Sequence, residues 1–420
     1  MTRSAAQAEV QVAETGTRPR VVSASRRRRV RIIGVGILLL GSFAAAELSS
    51  YVICRLYLQH STPFLFYAPP FDQAVAGFDA YMAKRHPVLG WPSPANFGPG
   101  GYDTSGSRKV PSFPAPGNAC ASLYGDSTTW GDEADDEHAW GNVLAKRLGC
   151  RVANYGVVGY GLDQAYLRFK LNEADEAKVP ILTVFPANLL RNVNQYHGLL
   201  TGIGMFFSFK PRFLVNDAGS LELIPLPTFT KAEFADLLRD PARYLPHEYF
   251  LPGTPAGPLR FHFPYTLFVL RAARNAQMQA SVRTVLGGPP TWTPFFSPDH
   301  PSRSLQVAIG ILEAFHRDAV ARDRTPLIQI LPTPTAIATF QSTGTWPYAP
   351  LIDAMAAKGI EVVNLGPDFI RRLGGRKLCE LLTHPDSCNG RYNSEGYATL
   401  AEIVHSLMRA RGVTSQGANT

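Results

Sequence analysis

This sequence has few charged residues, and they are unevenly placed. Charged residues make up 18% of its 420 residues, and the formal net charge is +8. Residues 1–31 contain eight arginines and two glutamates, a net of +6, which leaves only +2 for the rest of the chain. A domain this close to neutral offers no basic face for nucleic-acid phosphates. We therefore expect no nucleic-acid partner, and we attribute the high isoelectric point to the N-terminal tail.

Long apolar runs are also scarce, and one is prominent. It covers residues 32–53 and directly follows a cluster of arginines. It is long enough to cross a bilayer once, although Glu47 interrupts its far end, and basic flanks stay on the cytoplasmic side. Alanines at 44–46 also fit a signal-peptide cleavage site. Because apolar character resumes at Tyr51, the sequence favours an uncleaved, single-pass signal anchor in the cytoplasmic membrane, with the N terminus inside.

No internal repeat is visible, which argues against a solenoid, and shifts in composition divide the rest of the chain. We expect residues 1–31 to be a disordered cytoplasmic tail because they have little to bury. Residues 54–118 are dense in proline, glycine and aromatic residues, which predicts an irregular collar. Residues 119–411 form the folded domain, with an insertion at about 197–302, and residues 412–420 form a second disordered tail.

The folded domain alternates short apolar strands with helices, which predicts a three-layer α/β/α domain around a parallel sheet. Five strands in this rhythm suit a flavodoxin-like order, 2-1-3-4-5. Inside the insertion, residues 212–224 predict a β-hairpin and residues 230–233 a capping box. The predicted strands are 121–124, 152–155, 181–185, 327–331 and 361–363, and the predicted helices are 138–148, 162–172, 304–323, 348–358 and 393–410.

Three of the predicted strands end in residues that are suited to chemistry. The first breaks into Gly125, Asp126 and Ser127 ahead of a helix start, where free N–H groups can stabilise an oxyanion. We expect Asp126 to fix this turn by local hydrogen bonds. The second strand ends in a glycine cluster that includes Gly159, and the third is followed by Asn188. The carboxyl ends of parallel strands share one edge of the sheet, where α/β folds bind ligands.

These three strand ends resemble the first three blocks of the SGNH (GDSL-type) hydrolase superfamily, and the resemblance spans roughly residues 120–411. It implies that Ser127 is a nucleophile and that the Gly159 N–H and the Asn188 side chain complete an oxyanion hole. The family's base is a histidine within a Gly-His-Tyr-Asn frame ahead of the last helix. Here that frame runs over residues 389–393, and Arg391 stands at the histidine position.

Arginine cannot act as this base, because a guanidinium has no acceptor atom and a pKa above about 12. His384 is the candidate substitute, since it precedes Arg391 in the same loop and Asp386 is near enough to orient an imidazole. His138 follows Ser127 in an acidic helix start, and we expect it to point away from the serine. Arg391 itself is suited to hold an anionic group or an acidic neighbour.

The five cysteines leave two interpretations open. Cys54 falls at the membrane edge, and the other four form two pairs in an exported domain, where disulfides persist. The members of one pair lie at the amino ends of the first two strands, and those of the other pair bracket the loop before the arginine frame. For the second pair, zinc is the alternative to a disulfide, held by Cys379, His384, Asp386 and Cys388.

Two functions remain open. The first is a membrane-anchored, extracytoplasmic serine esterase or O-acyltransferase that forms an acyl-enzyme on Ser127 and passes the acyl group to water or to a sugar hydroxyl. The resemblance favours ester-linked acyl groups on carbohydrates or small esters. The second is a pseudoenzyme that serves as a binding or scaffolding module in cell-envelope polysaccharide assembly. We expect neither a cofactor nor a metal, and the oligomeric state is not determined.

Overall fold

The computed structural model describes residues 24–67, 71–90, 101–201 and 208–412. The expectations for residues 1–23 and 413–420 lie outside this part of the chain. Helix α1 (Ala24–Ile53) opens it and continues through a π-helical segment (Cys54–Leu58) into α2 (Gln59–Ser61). Residues 24–31, which we expected to be disordered, are helical, since arginine is a good helix former.

The core of the molecule is a five-stranded parallel sheet with the order β2-β1-β3-β6-β7. Counted along the chain, this is the order 2-1-3-4-5, so the predicted fold is confirmed. The strands are mainly apolar, and four of the five are buried along their whole length, as parallel sheets require. They are β1 (Ala121–Tyr124), β2 (Val152–Asn154), β3 (Val179–Val184), β6 (Leu327–Ile330) and β7 (Val362–Asn364), and each lies within two residues of its predicted bounds.

Helices cover both faces of this sheet. Alternate strand residues point to opposite sides, so Leu123 and Ile181 enter one apolar cluster while Tyr124 and Leu182 enter the other. One side is covered by α5 (Trp140–Leu148), α15 (Gly366–Leu373) and α16 (Ser394–Ala410). The other is covered by α6 (Leu162–Leu171), α12 (Ser304–Val320) and α14 (Ala349–Ala356). The third layer that the sequence predicts is therefore present.

Several shorter elements join these layers. The sequence analysis missed α13 (Pro334–Thr343) and α15, which both contain proline in their first turn, where proline is tolerated. Other short elements outside the insertion are α4 (Ser127–Trp130), the antiparallel pair β8 (Leu382–His384) and β9 (Asn389–Tyr392), and 3₁₀ helices at Pro63–Leu65, Pro186–Val193 and Leu378–Leu381. A further 3₁₀ helix, Thr293–Phe296, lies within the insertion.

The stretch that we predicted to be an irregular collar is partly helical in its described residues. The helix that begins with α1 continues to Ser61, and a 3₁₀ helix follows at Pro63–Leu65. Helix α3 (Phe71–Lys84) buries Ala74, Phe78 and Tyr81 against the core. These residues recur at helical spacing, and proline is absent from the helix itself. Proline content alone therefore misjudged this part of the chain. Residues 91–100 lie outside the described residues.

The insertion has the local structure that its sequence predicts. Strands β4 (Arg212–Val215) and β5 (Leu221–Ile224) pair as an antiparallel hairpin. Helix α8 (Lys231–Arg239) starts at the predicted capping box, in which Thr230 and Glu233 exchange hydrogen bonds. The other helices here are α7 (Gly198–Thr201), α9 (Pro241–Tyr244), α10 (Tyr265–Arg274) and α11 (Ala276–Val285).

Four of the five cysteines are joined in disulfides, Cys120 with Cys150 and Cys379 with Cys388. The first links the entries to neighbouring strands β1 and β2. The second closes the loop before Arg391 and takes up the thiolates that the zinc alternative would need. Cys54 is free and buried.

Candidate active site

Ser127 occupies the first position of α4, immediately after β1. The turn is held by Asp126, the N-cap residue, whose Oδ1 accepts hydrogen bonds from the N–H groups of Thr128 at 3.0 Å and Thr129 at 3.3 Å. These bonds satisfy two N–H donors that a helix start otherwise leaves open. Ser127 is buried, with 1% of its surface exposed. The structure therefore places Asp126 in the local role that the sequence predicts for it.

Two glycines allow the strand-end loops to close around this turn. A Cβ atom on Gly125 would lie 2.1 Å from the Thr129 hydroxyl, and one on Gly156 would lie 2.4 Å from the Trp130 nitrogen. Neither position has room for a side chain. Backbone pairing also continues past the end of β2, because the N–H of Val157 donates to the Gly125 carbonyl at 3.2 Å. The loop that carries Gly159 is thus held against the serine turn.

Gly159 and Asn188 end the neighbouring strands at the same edge. Gly159 has a φ of +85°, which is readily adopted by glycine. Asn188 lies in the 3₁₀ helix after β3, and its Nδ2 donates to Asp126 Oδ2 at 2.8 Å. An amide nitrogen carries two hydrogens, so one remains for a ligand. Within the described residues, the backbone N–H groups of Ser127 and Gly159 have no acceptor.

No histidine supports the serine. All ten histidines fall within the described ranges, and in that part of the chain the Ser127 hydroxyl has no hydrogen-bond partner. His138 is exposed, and its Nδ1 lies 2.7 Å from Asp135 Oδ1. His384, the expected substitute base, is also exposed, and its Nδ1 lies 3.1 Å from the Thr383 hydroxyl. The structure therefore does not bring His384 to Ser127.

Arg391 lies on strand β9, in front of α16. Its Nε is 3.6 Å from Asp132 Oδ2, an ion-pair distance that is too long for a hydrogen bond, and about a third of each side chain is exposed. The Arg391 backbone N–H donates to the Thr383 hydroxyl at 3.2 Å. Asp132 is thus the acidic neighbour that a guanidinium at this position calls for.

The hairpin that carries Arg391 is clamped to the loop after α4. Glu133, in that loop, accepts a hydrogen bond from the Thr383 hydroxyl and a longer one, 3.4 Å, from the Arg391 N–H. The Thr383 bond, with help from the charge of Arg391, holds the pKa of the Glu133 carboxyl below its usual value. Tyr397 adds a second link, because its hydroxyl donates to the Asp132 carbonyl at 3.0 Å.

A groove of about 200 Å³ separates the serine turn from the Arg391 hairpin. Thr128, the residue after Ser127, lies on one side, and Arg391 lies on the other. A larger, mainly apolar cavity of about 570 Å³ adjoins it and shares Pro334 and Cys388 with it. The groove is lined by Thr128, Phe185, Pro332, Thr333, Pro334, Leu382, Cys388, Asn389, Gly390, Arg391 and Tyr392.

No protein-family model matches this sequence, and no curated protein matches it. The solved structures to which this chain is similar include three of low sequence identity. A lipolytic protein of the G-D-S-L family from Desulfitobacterium hafniense DCB-2 has a TM-score of 0.29 and 13% identity over 68% of this chain and 98% of its own. A protein from Lactobacillus plantarum has a TM-score of 0.34 and 10% identity over 70% of this chain and 97% of its own. A member of the lipolytic G-D-S-L family from Veillonella parvula DSM 2008 has a TM-score of 0.30 and 8% identity over 69% of this chain and 97% of its own.

TM-scores and identities this low carry no information about activity. What the structure adds is that the three sequence blocks that resemble the SGNH superfamily lie at the ends of three adjacent strands, β2, β1 and β3. Ser127, Gly159 and Asn188 are therefore brought to one edge of the sheet, and the Arg391 hairpin lines a groove together with Thr128, the residue after Ser127.

Sequence reasoning missed two charged residues of this site, Asp132 and Arg191. Arg191 follows Asn188 by one 3₁₀ turn, so both side chains lie on one face of the helix. This spacing in the sequence could have identified Arg191 as a neighbour of the site. Burial lowers the pKa of Arg191, the charge of Asp126 opposes that shift, and Arg391 adds to it, which places these charges close together. Asp132 carried no signal, because its contact with Arg391 joins distant parts of the chain.

Proposed function

We propose that this protein is a membrane-anchored, extracytoplasmic serine esterase or O-acyltransferase that acts on an ester-linked acyl group, with a carbohydrate as the favoured carrier. The observation that carries the proposal is the set of N–H donors around Ser127. In the described part of the chain, the backbone N–H groups of Ser127 and Gly159 have no acceptor, and the Asn188 amide has a second hydrogen to donate; these groups follow the ends of three adjacent strands. Such donors stabilise the oxyanion of acyl transfer.

In this mechanism the Ser127 oxygen attacks the ester carbonyl carbon, and the π electrons of the C=O bond move onto the carbonyl oxygen, which the donors bind. Collapse of this intermediate breaks the ester C–O bond; the alcohol leaves with a proton taken from water, and the acyl group stays on Ser127. Water or a sugar hydroxyl then attacks the acyl carbon, and Ser127 is released as its free hydroxyl. Because no imidazole contacts Ser127 in the described part of the chain, its proton passes to water, and we expect slow turnover.

The proposed location rests on α1. The helix from Ser25 to Ser61 contains an 18-residue window with a mean hydropathy of 1.9, and only 6% of that window is buried inside the molecule. A helix this long and apolar, left uncovered by the protein, is suited to span a bilayer. The arginines at its start favour a cytoplasmic N terminus, which places the folded domain outside.

The test of the proposed function is covalent labelling of the serine. A fluorophosphonate probe is expected to label the wild-type protein slowly at Ser127, and Ser127→Ala should remove the label. Ser406→Ala is the matched control, because Ser406 is exposed on α16 and donates only to the Glu402 carbonyl. Peptide mapping after labelling identifies the modified residue. Equal labelling of wild type and Ser127→Ala would eliminate the acyl-enzyme.

Arg391 favours a second candidate, a binding module of cell-envelope polysaccharide assembly. A guanidinium paired with Asp132 on one wall of the groove suits the binding of a polar ligand rather than proton transfer. Unlabelled protein that nevertheless binds an acylated polysaccharide, and loses that binding in Arg391→Ala, would replace the first candidate by this one.

A further inference from the structure

Helix α10 of the insertion lies alongside the outer third of α1. The Phe263 ring, which precedes α10, meets Phe43 edge-on with centroids 6.2 Å apart, and Tyr265 lies 5.0 Å from Tyr51. Further along, Phe268 enters the same small apolar cluster as Cys54. Increasing residue numbers on one helix therefore meet increasing numbers on the other, so the two helices run in the same direction.

Glu47, which interrupts the apolar run, joins the two helices. Its carboxylate accepts hydrogen bonds from the N–H groups of Tyr265 at 2.5 Å and Thr266 at 3.3 Å, and from the Thr266 hydroxyl. Glu47 is 6% exposed. Acidic groups within a membrane segment need a polar partner, and helix-end N–H groups in hydrocarbon must be satisfied. One carboxylate meets both requirements, because it binds the open N terminus of α10.

The depth of this contact follows from helix geometry. A hydrocarbon core of about 30 Å that begins after Arg31 takes up about 20 residues at 1.5 Å each, so it ends near residue 51. Phe43 then lies about 12 Å and Glu47 about 6 Å below the outer edge of that core. Phe263, just before α10, contacts α1 at the level of Phe43, and Tyr265, the first residue of α10, contacts it at the level of Glu47. Further along α10, Phe268 shares a cluster with Cys54, which lies beyond the outer edge of the core.

Exposed apolar side chains on α10 and just before it match these depths. Phe263, whose ring also meets Phe43, is 58% exposed, and Leu267 and Leu270 on α10 are 39% and 52% exposed. Arg271 and Arg274 follow at the shallow end, where their charges suit lipid headgroups. Large apolar side chains exposed in a row next to a membrane span indicate contact with something apolar.

We propose that residues 261–270 form a re-entrant element that enters the outer leaflet of the bilayer spanned by α1, with the acyl chains of that bilayer covering Phe263, Leu267 and Leu270. The chain enters the leaflet through the non-helical segment before Phe263 and leaves it along α10. The inference rests on α1 being a membrane span, as proposed above, and not on the chemistry at Ser127. The anchor is then part of the folded unit, and the domain has a fixed orientation above the membrane.

The test measures the depth of single added tryptophans. The full-length protein is reconstituted in phosphatidylcholine vesicles whose acyl chains carry bromine near either the headgroup or the chain end, since bromine quenches tryptophan on contact. The variants are Phe263→Trp and Leu270→Trp. Leu39→Trp, 66% exposed on α1, is the control for a lipid-facing site, and Val320→Trp, 52% exposed at the end of α12, is the control for an aqueous site. The signal of each variant is its difference from wild type, which has five tryptophans.

We expect Phe263→Trp and Leu270→Trp to lose their added fluorescence in brominated vesicles, as Leu39→Trp does, with Phe263→Trp responding to bromine placed deeper than Leu270→Trp does. Val320→Trp should keep its signal in every vesicle. Quenching of Leu39→Trp without quenching of Phe263→Trp would overturn the re-entrant element and leave the anchor in place. If Leu39→Trp is not quenched either, the membrane span and the inference both fall, whatever the result of labelling at Ser127.

Discussion

At position 391 the guanidinium lies 3.6 Å from the Asp132 carboxylate, on the wall of the groove opposite Thr128. The family that this sequence resembles has a histidine in the corresponding frame. The carboxylate that would orient an imidazole is thus already present, although it comes from the loop after α4 and not from residue 389, where Asn389 stands. In the proposed esterase mechanism, Arg391→His alone would add a base to the nucleophile and the orienting acid.

Arg391→His is therefore expected to raise the turnover of a model acetyl ester by about 100-fold or more, the usual scale of general-base assistance. The activity should appear with a pH dependence near the imidazole pKa of about 6.5. Adding Asp132→Asn to this variant should remove most of the gain, and Asn389→Asp should add to it. Rates are measured by ester hydrolysis in detergent.

His384 provides the contrast for this experiment. If the wild type is already active, and His384→Ala silences it while Arg391→His changes little, then His384 reaches the serine in solution and our account of the base is incorrect. Failure of every histidine variant, with Ser127 unlabelled, would leave the binding module.

At the scale of elements, the insertion is attached to the sheet domain by a buried ion pair. Lys210, which precedes the β4–β5 hairpin, contacts Asp163 on α6, and both side chains are fully buried. Burial lowers the pKa of Lys210 and raises that of Asp163, and the charge of each partner opposes the shift of the other. A charge in this setting depends on its partner, because removing one leaves the other unpaired and out of water.

Lys210→Met is expected to lower the free energy of unfolding by about 3–5 kcal/mol, because it leaves Asp163 without its partner. The double variant Lys210→Met, Asp163→Leu should recover most of that loss. Lys178→Met is the matched control, since its pair with Asp323 is exposed and should contribute nothing measurable. Urea unfolding of the full chain in detergent is the measurement. A Lys210→Met variant as stable as Lys178→Met would show that the pair does not hold the insertion.

At the scale of the whole molecule, the apolar helix α1 precedes the folded domain in the chain. The eight arginines of residues 1–31 lie before the apolar part of α1, and both disulfides lie after it. Both features support the proposed topology, because a basic flank is retained in the cytoplasm and disulfides persist outside it. They agree with one another although they rest on different chemistry.

Protease added outside intact spheroplasts should therefore digest the folded domain and spare a tag at the N terminus. The tag becomes accessible only after the membrane is permeabilised, which is the internal control. Immunoblots of the tag and of the domain give the readout. A tag that is lost while the domain survives would reverse the proposed topology.

Local patterns were sufficient for much of this protein. The strand bounds, the hairpin at 212–224, the capping box at Thr230 and the turn at Asp126 all depend on residues next to one another, so the chain itself records them. The sheet order was predicted from the alternation of strands and helices and from the family resemblance. Helix α3 was missed because the prolines on either side of it dominate the composition of residues 54–118, although the helix itself contains none.

Contacts between elements could not be read in the same way. Asp132 beside Arg391, Glu47 at the start of α10, and Lys210 against Asp163 each join segments that are far apart in sequence. Nothing in the neighbouring residues specifies such a partner, because the approach of two elements depends on how every layer between them packs. For the same reason, the motif around position 391 showed that the family histidine is replaced by arginine, but it did not show that the Asp132 carboxylate lies beside that arginine.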